Sequence, residues 1–280
     1  MRISKAIIPG RHLLVRLTLS CHLLFLLQLS FGQFQDDFAD GDFLYNPSWT
    51  GDTADFSMSY SSAVPSGQKP ALQLTASESD TSCLVVPSTL SSHAEWRFWV
   101  KMSFNTSANN YARIYLFADQ DDLTVPLNGY FVQLGGSNDS ICLFRQSGNV
   151  IEPLINGANG YTGNSTNILR VKVTRDESGY WQLLSDPSGG YNFETEGTCQ
   201  DNTFSSATFF GIFCKYTSSN SKKFYFDDFY ADVLFADTIP PSITLVDVLS
   251  DSSLQVYFSE PVEKTSAEDS LNYFVNDGPG

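Results

Sequence analysis

Histidine is almost missing from this chain: of three in 280 residues, only His93 lies beyond residue 32. That excludes zinc sites built from several histidines, and it leaves any Ser-His-Asp triad dependent on one residue in the polar stretch "SSHAEW". No P-loop, Cys-x-x-Cys, nucleophile elbow or dinucleotide fingerprint occurs. Basic residues are scarce too, 16 against 31 acids, and four of them (Arg2, Lys5, Arg11, Arg16) fall in an opening segment that has no acid. The rest of the chain therefore carries 12 minus 31, a net charge of −19. Such a surface repels nucleic acid, and it argues against anionic polymers or membrane surfaces as partners.

Long apolar runs are also lacking. Leu13 to Leu27 spans 15 residues, short of the roughly 20 needed to cross a bilayer. With its flanking cations and the small residues Ser30 and Gly32, the segment 1–32 reads as a secretory signal cleaved near Gly32. The expected product is secreted or displayed on the cell surface, with no membrane insertion after cleavage.

Cysteine is sparse. Cys21 leaves with the signal, and Cys83, Cys142, Cys199 and Cys214 remain. Four cysteines in an exported chain permit two disulfides in three connectivities. "SCLVV", "SICLF" and "GIFCKY" nevertheless place three of them inside apolar runs, where cysteine behaves as a small buried hydrophobe.

What is abundant is alternation. In "EWRFWVKMSF", Trp96, Phe98, Val100, Met102 and Phe104 alternate with Arg97, Trp99, Lys101 and Ser103, as a half-buried strand requires. "ALQLT", "ARIYLFA", "GYFVQLG", "SICLFRQ", "ILRVKVT", "YWQLL", "TFFGIFCKY" and "KFYFDDFYADVL" read similarly, separated by turns such as "GGSND", "NGANGYTGN", "DESG" and "DPSGG". No segment sustains a helical period. About a dozen short strands predict an all-β protein, an antiparallel jelly-roll sandwich over residues 33–236, with a hairpin turning at Asp176 to Gly179. "DTIPPS" then marks a linker. Beyond it, "ITLVDVL" and "SLQVYFSEPV" predict the first strands of a second β-domain over 237–280, truncated because 44 residues fall short of the roughly 100 of a full sandwich.

"DDFADGDF…NPSWTGDTADF", "NGYFVQLGG", "LRVKVTRDESGYWQLLSD", "CKYTSSNSKKFYFDDFYADV" and "DTIPPSITLVDV…LQVYFSEPVEKTSAEDSLNYFV" together resemble large exported surface proteins of Bacteroidota. In that group a laminin-G/concanavalin-like sandwich precedes immunoglobulin-like and lamin-tail modules. The resemblance implies export and placement outside the outer membrane, a laminin-G/concanavalin-like domain over 33–236, and a partial immunoglobulin-like domain after it.

Two sets of residues are candidates for function. Asp36, Asp37, Asp40 and Asp42 crowd the opening of the mature chain, and in the last strand strict alternation places Asp227 on the row of Tyr225, Phe229, Ala231 and Val233. A buried carboxylate requires a partner. An EF-hand is excluded, because counting from Asp36 puts Phe38 at the third position and Pro47 at the twelfth. The pattern is similar to that of jelly-roll carbohydrate-binding modules in which structural calcium joins an acid near the first strand to the leading Asp of a "DD" pair in the last. That resemblance implies Asp37 and Asp227 as ligands, helped by Asp36, Asp40 and carbonyls near Gly41. The alternative is that the opening aspartates are turn residues and that backbone N–H groups satisfy Asp227.

The second set is aromatic: Trp49, Tyr111, Tyr130, Tyr191 and Tyr216 lie near loops or strand ends, where sugar rings stack, with Trp49, Tyr111 and Tyr130 the first candidates. Hydrolysis by a concanavalin-like sandwich needs paired carboxyls about 5 Å apart, and the nearest approach, Glu78 and Asp80 in "ASESDTS", lacks a third acid. The expected role is a non-catalytic module binding glycans or extracellular polymers. A purely architectural stalk is the alternative, and a glycoside hydrolase the third.

Overall fold

The computed structural model describes residues 33–60, 70–234, 240–250, 253–260 and 262. The predicted signal (1–32) lies outside them, as do most of the linker (235–239) and the final stretch 263–280. In chain order the strands are β1 (Phe34–Asp36), β2 (Thr50–Gly51), β3 (Phe56–Ser59), β4 (Ala71–Leu74), β5 (Asp80–Pro87), β6 (Ala94–Met102), β7 (Tyr111–Ala118), β8 (Leu127–Gly135) and β9 (Ile141–Gly148). They continue as β10 (Val150–Asn156), β11 (Asn167–Arg175), β12 (Tyr180–Asp186), β13 (Glu194–Gln200), β14 (Phe209–Tyr216), β15 (Phe224–Val233), β16 (Ile243–Ser250) and β17 (Ser253–Phe258). One 3-10 turn, Thr53–Asp55, is the only helical element among the described residues.

An eight-stranded sheet runs β13-β12-β11-β6-β15-β4-β3, with β1 also paired to β15. A seven-stranded sheet runs β10-β9-β8-β7-β14-β5-β2. Alternation explains their stacking: Trp96, Phe98 and Val100 of β6, Val171 and Val173 of β11 and Trp181 of β12 meet Ile114 and Leu116 of β7, Val132 of β8 and Ile212 of β14 in one buried core. Trp96 and Trp181 stack at 5.9 Å and 11°. Burying each such side chain stabilises the fold by about 1.5–3 kcal/mol. The predicted hairpin is present, with Asp176 N–H donating to the Tyr180 carbonyl at 3.1 Å and Gly179 at φ +84°.

β10 and β13, which the alternation did not reveal, are edge strands. Their residues are mostly exposed or half-buried, and Pro153 stands inside β10, a position an edge tolerates. All four cysteines are free thiols; Cys83, Cys142 and Cys214 are buried. β16 and β17 form a separate two-stranded antiparallel ladder, which supplies the predicted first strands after the linker.

The first and last strands of the sandwich lie side by side, Phe34 opposite Ala231 and Asp36 opposite Phe229. One expectation about β15 needs correction. Its pairing with β6 shifts between Asp227 and Tyr230, and Asp228 adopts φ +51°. This bulge inserts one residue and reverses the alternation. Phe224 and Phe226 face the core before it, Phe229 and Ala231 after it, and Tyr225 packs on the outer face against Trp99 and Ala71. Asp227 therefore sits at the bulge and not on a continuous apolar row.

Candidate functional site

The opening aspartates turn the chain. Asp36, Asp37, Asp40 and Asp42 each accept the backbone N–H two residues further on, at 2.9, 3.1, 3.1 and 2.8 Å. These four successive Asx turns fold the segment so that Phe38, Phe43 and Trp49 plug the core. The second Asp36 oxygen accepts the Trp49 indole N–H at 2.8 Å. Burial pushes the Asp36 carboxyl up to about 6, against the lowering effect of those two donors. Asp227, also buried, accepts the Asp228 N–H at 2.7 Å. Among the described residues no group of three or more His, Cys, Asp or Glu is placed to hold a metal. The implied calcium ligands Asp36, Asp37, Asp40 and Asp227 are not gathered into such a group; each accepts a backbone N–H through one carboxylate oxygen.

Two of the three first aromatic candidates are corrected by burial. Trp49 is 1% exposed and Tyr130 0%; Tyr216 is buried as well. Trp49 packs against Phe229 at 5.2 Å, and Tyr130 packs against Trp181 at 4.7 Å while its hydroxyl donates to Asp201. Both are core residues because the strands and turns that carry them face inward. Tyr191 is exposed and lies beneath the Arg170 guanidinium at 4.2 Å. Glu78 and Asp80 are exposed, and Asp80 accepts the Thr81 N–H at 2.8 Å.

Tyr111 stands elsewhere, half-buried on the outer face of the seven-stranded sheet. Strand register arranges that face in rows. Thr81, Lys215, Tyr111 and Gly135 are successive partners across β5, β14, β7 and β8. The next row is Cys83, Phe213, Arg113, Gln133 and Cys142, the last from β9, and the one after is Val85, Gly211, Tyr115, Phe131 and Phe144. Of these, Cys83, Val85, Tyr115, Phe131 and Phe213 belong to a second apolar cluster, separate from the core, with Tyr111 and Phe144 packed against it.

The Arg113 guanidinium lies 4.6 Å from the Phe131 ring centre, 5.2 Å from that of Tyr111 and 5.5 Å from that of Phe213. Its Nε donates to Gln133 at 3.0 Å. Lys215 Nζ lies 5.9 Å from the Tyr111 ring centre, and Tyr111 stacks on Phe213 at 6.3 Å and 29°. Tyr115 donates to Gln146 at 2.8 Å, and burial pushes its hydroxyl up.

The loop 119–126 covers part of this cluster by inserting Leu123, 3% exposed. Gly211 makes room, since a Cβ there would lie 2.8 Å from Leu123 Cδ1. Asp119 anchors the loop by accepting the Asn128 backbone and side-chain N–H groups, each at 2.8 Å. Asp122 accepts the Thr124 N–H at 2.8 Å and its hydroxyl at 2.6 Å.

Two open recesses flank the loop and share Thr81 and Thr124. One, about 350 Å³, includes Arg113, Tyr115, Gln146, Asn149 and Phe213 in its wall. The other, about 380 Å³, includes Asp52, Asp121 and Asp122. The arrangement sets the half-buried Tyr111 ring beside amides, hydroxyls and both signs of charge. Sequence reasoning found Tyr111 here and missed Arg113, Gln133, Phe213 and Lys215. The only signal was shared parity within "ARIYLFA" and "TFFGIFCKY", and register alone makes neighbours of residues so distant along the chain.

No family model matches this chain, and no curated protein does. Solved structures do. The carbohydrate recognition domain of Emp46p, in a metal-free form, is 14% identical with a TM-score of 0.50, over 72% of this chain and 96% of that one. The VIP36 exoplasmic/lumenal domain in a Ca2+/Man2-bound form is 12% identical with a TM-score of 0.48, over 75% and 90%. The carbohydrate-binding module CBM66 from Bacillus subtilis is 12% identical with a TM-score of 0.44, over 66% and 94%. At such identities the likeness is one of fold: an all-β antiparallel sandwich.

Proposed function

We propose that this protein is an exported, non-catalytic module that binds glycans on the outer face of its seven-stranded sheet. The observation that carries the reading is the placement of the half-buried Tyr111 ring beside Arg113, Gln133 and Phe213, next to a recess of about 350 Å³. Aromatic faces pack on the C–H faces of sugar rings, while guanidinium, amide and hydroxyl groups around them satisfy sugar hydroxyls. The Emp46p domain, of the same fold, is named a carbohydrate recognition domain, which agrees with this use of the sandwich. Export rests on the composition of residues 1–32.

A glycan array probed with the mature chain, with added calcium and with chelator, tests the reading. Binding that Tyr111→Ala abolishes supports it. An array with no bound saccharide, or binding that survives Tyr111→Ala unchanged, overturns it.

A further inference from the structure

Two cations of this face are placed against one aromatic ring. Arg97 and Lys172 share Glu95, Arg170 holds Asp228, and Arg145 holds Glu152 and Asp201. Arg113 and Lys215 form no ion pair among the described residues, in a chain with 31 acids. Each sits instead near the Tyr111 ring, at 5.2 and 5.9 Å. Arg113 uses its Nε on Gln133, and it also contributes to the wall of the open recess.

We infer that the ligand of this face is an anionic saccharide, whose carboxylate or sulfate group is taken by Arg113 and Lys215 beside Tyr111. The inference rests on the glycan-binding reading and narrows it to a substrate class. A guanidinium placed among aromatic rings and held by Gln133 through its Nε keeps its two terminal nitrogens for the two-point hydrogen bonding that a carboxylate or sulfate accepts. The net charge of −19 beyond the leader opposes polyanions at long range. At physiological salt, however, screening acts within about 8 Å, so at contact the local cations decide. The neighbouring recess with Asp52, Asp121 and Asp122 then sets orientation. Its carboxylates accept sugar hydroxyls and repel the ligand's anionic group, directing that group towards Arg113 and Lys215.

Calorimetry on the mature chain with matched probes tests this: oligogalacturonate against its methyl ester, and a sulfated galactan oligosaccharide against its desulfated form. The expected result is preference for at least one charged member, lost by about tenfold or more on esterification or desulfation and equally in Arg113→Gln. Because Arg113 also holds Gln133, Lys215→Gln provides a second variant, expected to weaken the charged probe while leaving the neutral one unchanged. The two charged probes distinguish carboxylate from sulfate. Equal binding of charged and neutral members overturns the inference and leaves glycan binding standing. No binding of any of the four probes, with an empty array, overturns both.

Discussion

Asp36 and Trp49 are joined by a 2.8 Å hydrogen bond from the indole N–H to the carboxylate, thirteen residues apart in the chain and both buried. Burial holds the Asp36 carboxyl at about 6 in the folded protein, against 3.8 for an unperturbed Asp. A raised folded value means that the native state favours the protonated form. Its contribution to stability is fully present below about pH 4, declines as pH rises and is lost above about pH 6. Asp186 and Asp201 are shifted the other way, so their contributions change below the usual carboxylate range. Melting temperatures of the wild type and Asp36→Asn between about pH 4.5 and 7 check this. The wild-type advantage should shrink as pH rises through that window, and a difference independent of pH would contradict it.

Chelation should leave the melting temperature unchanged. Among the described residues no three acids are placed to hold a metal, and Asp36, Asp37, Asp40 and Asp227 each hold a backbone N–H without one. Scanning calorimetry with calcium and with chelator gives the answer, and a drop on chelation would restore a structural metal.

Gly211→Ala should damage the outer face more than the core. The added methyl would meet Leu123 Cδ1 and the Leu84 carbonyl, each at 2.8 Å, so the loop 119–126 must move. A loss of about 1–3 kcal/mol is expected in urea denaturation, together with weaker saccharide binding.

Arg175→Lys should cost about 2 kcal/mol. The Arg175 side chain is fully buried, with its guanidinium 4.9 Å from the Trp181 ring centre. It donates to the Ser91 carbonyl, to Asn202 Oδ1 at 2.7 Å and to the Phe204 carbonyl at 2.9 Å. A lysine ammonium lacks the fork that reaches all three, and burial already disfavours the charge. The urea midpoint measures the loss.

The core strands were legible because each buries one face and alternation records it: Trp96, Phe98 and Val100 declare β6 without help. β10 and β13 were not, since edge strands have few inward positions to mark. Asp227 was misplaced for a different reason. Parity holds only while a strand is regular, and nothing in "FYFDDFYADV" marks where the bulge falls. Trp49 was read as a candidate platform because it lies near loops and strand ends, whereas the chain that the Asx turns of Asp36 to Asp42 fold delivers it to the core.

Composition and periodicity by themselves determined an all-β antiparallel sandwich, a tight hairpin at Asp176 and an acidic exterior, because each depends on local chemistry repeated along the chain. Only the tertiary structure decided which aromatics face water and which cations meet carboxylates. Tyr111, Arg113, Phe213 and Lys215 lie on strands about a hundred residues apart in sequence, and β7 and β14 become neighbours only when the seven-stranded sheet forms. Cross-strand register is a long-range property, and it is what brings those four side chains onto one face.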